Sequence, residues 1–558
     1  MVDGHRMWAI VVVTVVILAL GFLLYAVGSG TFAGKAVENR QDFIFDNVVE
    51  VPSFEEAHAI PIFRSVSYDA EAVDIDNDGD LDLIQPQVTE RSREVQDIGW
   101  KNRVYRNRGN GKFDDVSQQY FPEFENDQSI AVATGDLDGD NLPDVVFANY
   151  RDLPSIYLNR ETHFEDISHD EQKVYYETRL QSENQAFSPL GRDVDIVDLD
   201  NDGDNDIVVL MNNNIRIYEN EDNRFFRDMS HGWTHRRSAH RGSVGVPGVT
   251  LRNLQNGGAR HFLITDLNED GLPDIVVPTI HKDLDEDDLA LRRQPNPIYM
   301  NVPSRDDPSR RQFKTDPCFT IPELTHSYVV TEVDLVGDEK KELYFSNFKE
   351  EPLIYAVEYS QEDHAACLRA HRDDENSDAS LLHKIDLRDT NLPQGDVTHR
   401  QAPRFTDIDV DGDDDIVFYR PVGGPGCQNS FVENQFGTEC NMQIFRNEGG
   451  EYQLLPVDTV EDRPAGGSAY WDVVIEDFTG DGHKDIFYDS GASHLVENTG
   501  EDVPRFVRSL HDSLPFSDDS LIASAQLVDL NNDGVEDIFQ TNSGYIYCKV
   551  GSKCNPYL

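Results

Sequence analysis

Asp74-Ile75-Asp76-Asn77-Asp78-Gly79-Asp80-Leu81-Asp82, followed at once by Leu83-Ile84, is the stretch on which the reading of this 558-residue chain turns. Its carboxylates fall on alternate positions around one glycine and then give way to an apolar pair. The same nine-residue unit returns seven more times, beginning at Asp136, Asp198, Asp266, Asp334, Asp407, Asp477 and Asp529. Successive starts lie 62, 62, 68, 68, 73, 70 and 52 residues apart. A recurrence this regular implies one repeat architecture, not several unrelated domains, and spacing of this size suits a blade of four short strands.

Aligning the eight copies shows what each position does. Position 5 is Asp throughout: Asp78, Asp140, Asp202, Asp270, Asp338, Asp411, Asp481 and Asp533. Position 3 offers an oxygen in seven copies (Asp76, Asp138, Asp200, Asn268, Asp409, Thr479, Asn531) and position 9 is always acidic (Asp82, Asp144, Asp206, Asp274, Glu342, Asp415, Asp485, Asp537). Position 7 is Asp80, Leu142, Asp204, Leu272, Lys340, Asp413, His483 or Val535. No side-chain role survives Leu, Lys and Val, so position 7 is expected to offer its carbonyl. Position 6 is glycine in six copies and Asn141 in another, as a turn with positive φ requires.

Oxygen donors at positions 1, 3, 5, 7 and 9 make a hard-cation site, and Ca²⁺ is the expected ion, at about seven sites. The fifth copy, with Val336 at position 3 and Glu339 at position 6, is expected to be weak or empty at Asp334, Asp338 and Glu342. An EF-hand is excluded, because its loop needs a bidentate Glu at position 12 and flanking helices, whereas Val145-Val146-Phe147 and Ile416-Val417-Phe418 are β-strand compositions.

The rest of each unit repeats as well. An apolar strand precedes the motif and another follows it. A third strand bears an aromatic residue and then asparagine, as in Val104-Tyr105-Arg106-Asn107 and Ile444-Phe445-Arg446-Asn447. A tight turn and a fourth strand such as Phe113-Asp114-Asp115-Val116 complete the unit. The last copy runs out before a fourth strand, while a strand-like segment at 43–49 precedes the first. The expectation is an all-β, eight-bladed β-propeller of four-stranded antiparallel blades, closed by that N-terminal strand. Seven blades remain open if the degenerate fifth unit is an insertion.

With these residues in view, the units resemble FG-GAP/VCBS repeats, as in the calcium-binding blades of the integrin α-chain propeller and the cartilage acidic protein-like family. The resemblance spans about residues 42–558. It implies the fold and Ca²⁺ binding, but only weakly a function, since such repeats serve adhesion receptors, lectins, assembly factors and some polysaccharide lyases.

The charge agrees with this reading. With 48 Lys+Arg against 104 Asp+Glu the formal charge is −56, which excludes a nucleic-acid binder working by phosphate neutralisation. Only 28 of the 104 acids stand at motif positions 1, 3, 5 and 9, so the remainder implies a solvated acidic surface.

Residues 7–27 are uncharged and long enough to span a bilayer; they follow a short flank, 1–6, and precede a linker, 28–41. A single-pass anchor is the expectation, with a signal peptide cleaved near Ala26-Val27-Gly28 as the competing reading. Six cysteines all follow this segment: Cys318, Cys367, Cys427, Cys440, Cys548 and Cys554. No CxxC pair suggests zinc, and an even count implies disulfides and a body outside the cytoplasm, periplasmic or extracellular.

In such a blade the metal loops and the third-to-fourth-strand turns share one face. The long connections, 86–101, 279–296, 420–441, 168–188 and 229–259, lie on the other, with a long irregular run expected at 358–402. That opposite face is where a partner is expected. One loop there departs from the acidic background, with Trp233, His235, Arg236, Arg237, His240 and Arg241 as candidate contacts for a protein or an acidic glycan. The competing view is a solvated loop neutralised by acidic neighbours. The leading function is a non-catalytic binding, adhesion or scaffold module. The alternative is a calcium-dependent enzyme such as an acidic-polysaccharide lyase, although no nucleophile–base arrangement is legible.

Overall fold

The computed structural model describes residues 65–66, 69–89, 102–109, 112–121, 128–149, 153–168, 170, 173–175, 191–211, 214–223, 225–228, 257–281, 294–303, 311–335, 340, 342–347, 352–374, 377–385, 403–418, 443–448, 451–455, 473–479, 481–489, 493–501, 504–508, 522–530, 532 and 537–542. The fold is all-β. Each motif connects two antiparallel strands, and a third and fourth strand extend the same sheet by hairpins.

The first unit shows the pattern: Glu71–Val73, Asp82–Gln85, Arg103–Asn107 and Phe113–Asp115, paired in chain order. Units two, four, five, six and seven repeat it. Unit three adds a fifth strand, Val174–Tyr175, parallel to its outer strand Phe225–Asp228. The eighth unit contributes a pair, Ile522–Val528 with Asp537–Asn542, among the described residues.

Despite its degenerate motif, unit five forms a full sheet of Ser327–Val333, Glu342–Asn347, Leu353–Val357 and Leu382–Lys384. The expected irregular run after 358 is different: Gln361–Asp373 is an α-helix. Ser360 caps it by accepting the Asp363 N–H at 3.1 Å, acids fill the first turn and His371 and Arg372 the last. Cys318 is disulfide-bonded to Cys367 of this helix, which binds the excursion to the segment before unit five. Cys427, Cys440, Cys548 and Cys554 lie outside the described residues, as do residues 7–27, 43–49 and the whole 231–241 loop. No helix among the described residues is long and apolar enough to cross a membrane.

The second strands explain the cohesion. Asp144–Asn149, Asp206–Met211 and Glu342–Asn347 are buried along their whole length, because successive side chains face opposite neighbouring sheets. Val145 and Phe147 pack with Ile75, Ile84 and Val104 of unit one, whereas Val146 and Ala148 pack with Ile207 and Val209 of unit three. Burying one such side chain contributes roughly 1.5–3 kcal/mol. Similar cores join units three to four, four to five, five to six, six to seven and seven to eight. A further core sets Val528 and Leu530 of unit eight against Leu83 and Tyr105 of unit one.

Two sets of side-chain bonds follow the same order. Where the third strand ends in asparagine, its side chain donates to the position-2 carbonyl of the preceding unit: Asn159 to Ile75 at 2.7 Å, Asn220 to Leu137 at 2.8 Å, and Asn301 to Leu199 at 2.6 Å. Asn447 reaches Leu335 and Asn498 reaches Ile408. Asn107 of unit one reaches Leu530 of unit eight at 2.6 Å. In the other direction, position-4 asparagines donate to the position-6 carbonyl of the next loop: Asn77 to Asn141, Asn201 to Gly271, and Asn532 to Gly79.

Candidate metal centre

Each motif folds around its own carboxylates. The position-1 side chain accepts backbone N–H groups across the turn: Asp74 from Asp78 at 3.1 Å and Gly79 at 2.9 Å, Asp407 from Asp411 and Gly412 at 3.0 Å each. Asp198, Asp266 and Asp477 do the same, and Asp136 does so from Gly139 and Asn141. The position-5 carboxylate accepts the position-7 N–H, for example Asp78 from Asp80 at 3.0 Å and Asp140 from Leu142 at 2.9 Å. These bonds curl the backbone so that the motif's carboxylates converge, those at 1, 3 and 5 in the first loop and those at 1, 3 and 9 in the second and third.

Position 6 has positive φ, as expected, at Gly79, Asn141, Gly203, Gly271, Gly412 and Gly482. Position 4 does too, at Asn77, Gly139, Asn201, Glu269, Val410 and Asn532, and comparison of the copies did not reveal this. Asparagine and glycine adopt that conformation readily, which is a signal the sequence carried at four of those six positions.

Position 9 has a duty the spacing argument missed. One oxygen of Asp82 accepts the Ile75 N–H at 3.0 Å and the other accepts the Asn107 N–H at 2.7 Å, joining the loop to the third strand. Asp144, Asp206, Asp274 and Asp415 hold the corresponding pair of amides, and Asp485 takes those of Thr479 and Asn498. Even in the degenerate fifth loop, buried Glu342 accepts the Leu335 N–H at 2.7 Å. Burial drives these acids far above the carboxylate range, to about 7 for Asp82, Asp144, Asp274, Asp415 and Asp485 and about 8 for Asp206, although the two amides oppose the shift.

Position 3 is where the loops have an unmet demand. Asp76 Oδ1, Asp138 Oδ1 and Asp409 Oδ1 are buried without a hydrogen-bond partner. Desolvation first, then neighbouring carboxylates such as Asp78 and Asp411, push Asp76 and Asp409 upward. Asp74, Asp76 and Asp78 bring one oxygen each within 4.8 Å of one another, as do Asp136, Asp138 and Asp144, and Asp198, Asp200 and Asp206. The donors are all hard oxygens carrying more negative charge than a dry loop tolerates. Such a set fits a divalent hard cation of the Ca²⁺ type. Asn268 and Thr479 take position 3 in loops four and seven and are nearly buried.

Side chains at position 7 serve structure where they are acidic. Asp80 accepts from Asn532 at 2.6 Å, and Asp204 from Asn223 at 2.6 Å. Gly109, in the turn between the third and fourth strands, lies so close to Asp80 that a Cβ there would collide with it, and Gly500 stands the same way to His483. The motif loops and these turns therefore share a face, as the strand order implied. In the remaining loops, Asp334 and Asp529 are placed, Asp338, Asn531, Asp533 and Val535 lie outside the described residues, and Asp537 begins a strand. Trp233, His235, Arg236, Arg237, His240 and Arg241 also lie outside them.

Comparison with known proteins agrees with the repeat. Residues 93–147 and 198–277 match the FG-GAP-like repeat. No curated protein matches the chain in sequence. Among solved structures, BBS1N in complex with ARL6DN is similar at 9% identity and a TM-score of 0.34, over 86% of this chain and 91% of that one. An Agrocybe aegerita lectin that recognises non-reducing terminal N-acetylglucosamine is similar at 14% identity and 0.35, over 73% and 87%. The exotype rhamnogalacturonan lyase YesX is similar at 11% and 0.35, over 77% and 71%.

Proposed function

Because residues 93–147 and 198–277 match the FG-GAP-like repeat, we propose that this chain is a calcium-stabilised, eight-bladed β-propeller that binds a protein or glycan partner outside the cytoplasm. The observation that carries the calcium reading is the buried, unpartnered oxygen at position 3 of loops one, two and six, inside a ring of other carboxylates. The bonds from Asn107 to Leu530 and from Asn532 to Gly79 support closure of unit eight on unit one. In this reading residues 43–49 supply the outer strand of the eighth blade. Residues 7–27 anchor the propeller as a single span, and the Cys318–Cys367 disulfide supports an oxidising compartment. The partner binds the face opposite the metal loops, through the loop that carries Trp233, Arg236 and Arg237.

Calcium that binds only the folded chain stabilises it by mass action, about 2.7 kcal/mol for one site at a hundredfold excess over Kd. Chelation should therefore lower the melting temperature steeply, and a melting curve indifferent to chelator would remove calcium from the proposal. For the partner, glycan binding and pull-down with the full chain should be lost on combined substitution of Arg236, Arg237 and His240. Release of unsaturated product from a uronate polymer, lost in the same variant, would replace the binding module by a lyase.

A further inference from the structure

The metal loops share a motif but not a setting. In the second loop the guanidinium of Arg160, just beyond the third strand, lies 2.7 Å from Asp138 and 3.4 Å from Asp140, the carboxylates of positions 3 and 5. It also pairs with Glu165 at 2.9 Å. In the sixth loop Arg446 of the third strand pairs with Asp409, lies 3.6 Å from Asp411 and bridges to Glu448 at 2.8 Å. The side chains of Arg446 and Asp409 are only 17% and 7% exposed, so this is not a casual surface pair. Arg106 stands at the corresponding place in unit one but comes only to 3.7 Å from Asp76. In loops three and four no ion pair holds Asp200, Asp202 or Asp270 among the described residues, although the Arg311 charge acts on Asp200 from beyond ion-pair distance. The third-strand residue that is Arg106 in unit one and Arg446 in unit six is Glu219 in unit three, a further negative charge felt by Asp206.

Loops two and six, and at longer range loop one, therefore combine two features. One oxygen of the position-3 carboxylate is taken by an arginine of the same unit, and the other, Asp138 Oδ1, Asp409 Oδ1 or Asp76 Oδ1, is buried with no partner. The guanidinium is a fixed monovalent cation beside a site suited to a divalent one. It neutralises part of the carboxylate charge and repels an incoming ion, and affinity in oxygen-donor loops follows ligand charge and rigidity.

We propose, on the premise that the loops bind calcium, that Arg160 and Arg446 divide them into two affinity classes. Loops three and four fill first; loops two and six, countered by arginine, fill only at higher calcium. These two loops are the ones that sense a change in free calcium while the others stay loaded.

Equilibrium dialysis of the full chain against calcium-45 counts bound ions as free calcium rises. The natural sequence should fill in two stages. Arg160→Gln with Arg446→Gln should move two ions from the second stage into the first, a tightening of about tenfold for each. Arg446→Lys keeps the charge without the planar fork and should stay near the natural behaviour. Arg160→Gln alone, at the more exposed site, should move one ion and serves if the double variant misfolds. An isotherm unchanged in the variants, or one in which those ions bind more weakly, overturns the proposal and leaves calcium binding standing. Absence of bound calcium in the natural protein would remove the premise and the proposal together.

Discussion

Substituting Asn107 by alanine tests whether the first and eighth units are held together as the other neighbours are. Asn107 is 2% exposed. Its side-chain amide donates to Leu530 O at 2.6 Å and Leu81 O at 2.9 Å, and its Oδ1 accepts from Gly109 N at 3.1 Å. Its own N–H, bound to Asp82, survives the change. Alanine thus deletes three bonds and strands two carbonyls at a buried junction. A net hydrogen bond is worth about 0.5–1.5 kcal/mol and an unsatisfied buried group costs about 1–3, so the expected loss is about 2–4 kcal/mol.

The internal comparator is Asn159→Ala, which removes the matching bond to Ile75 O between units two and one and those to Pro143 O and Glu161 N within unit two. Urea unfolding in saturating calcium, followed by far-ultraviolet circular dichroism, should place both midpoints equally below that of the natural protein. Amide exchange should localise the effect: Asn107→Ala should accelerate exchange in Ile522–Val528, and Asn159→Ala should not. If Asn107→Ala cost nothing while Asn159→Ala cost the full amount, closure through Leu530 would be refuted.

Val410 is a β-branched residue at φ 65° and 64% exposed, so Val410→Asn should relieve strain of about 1–2 kcal/mol at little loss of packing. The new amide would stand where Asn77 and Asn201 reach the next loop, and a Tm no higher than that of the natural protein would contradict the backbone assignment. A pH effect should come from unit one, where burial foremost raises Asp69 to about 6 and, joined by the Asp69 charge, Glu71 to about 7. Carboxyls with raised folded pKa values stabilise below the unfolded pKa of about 4, and that contribution is lost as pH rises through about 6 and 7. Asp69→Asn with Glu71→Gln should therefore flatten the fall in stability between about pH 4 and 7, by about 2 kcal/mol after allowing for partial exposure, in calcium-saturated urea titrations. Parallel curves for the two proteins would refute it.

What the amino-acid sequence determines by itself is whatever closes within a few residues. The turn at position 6, the oxygen donors at 1, 3 and 5, and the strand that starts at position 9 are all local, so eight copies made them legible without a structure. The helix at Gln361–Asp373 was local too, and its Ser360 cap with Asp363 three residues on was a readable signal that the acidic background obscured. The tertiary structure decided everything that pairs across longer separations. Asp82 with the Asn107 amide, Asn301 with the Leu199 carbonyl, and Arg446 with Asp409 join residues 25 to 102 positions apart. The recurrent third-strand asparagine was visible in the sequence, but its partner belongs to the neighbouring unit. Which acid receives amides, which an arginine, and which is left with an unpaired oxygen follows from how neighbouring sheets pack, because burial and approach of charge are properties of that packing.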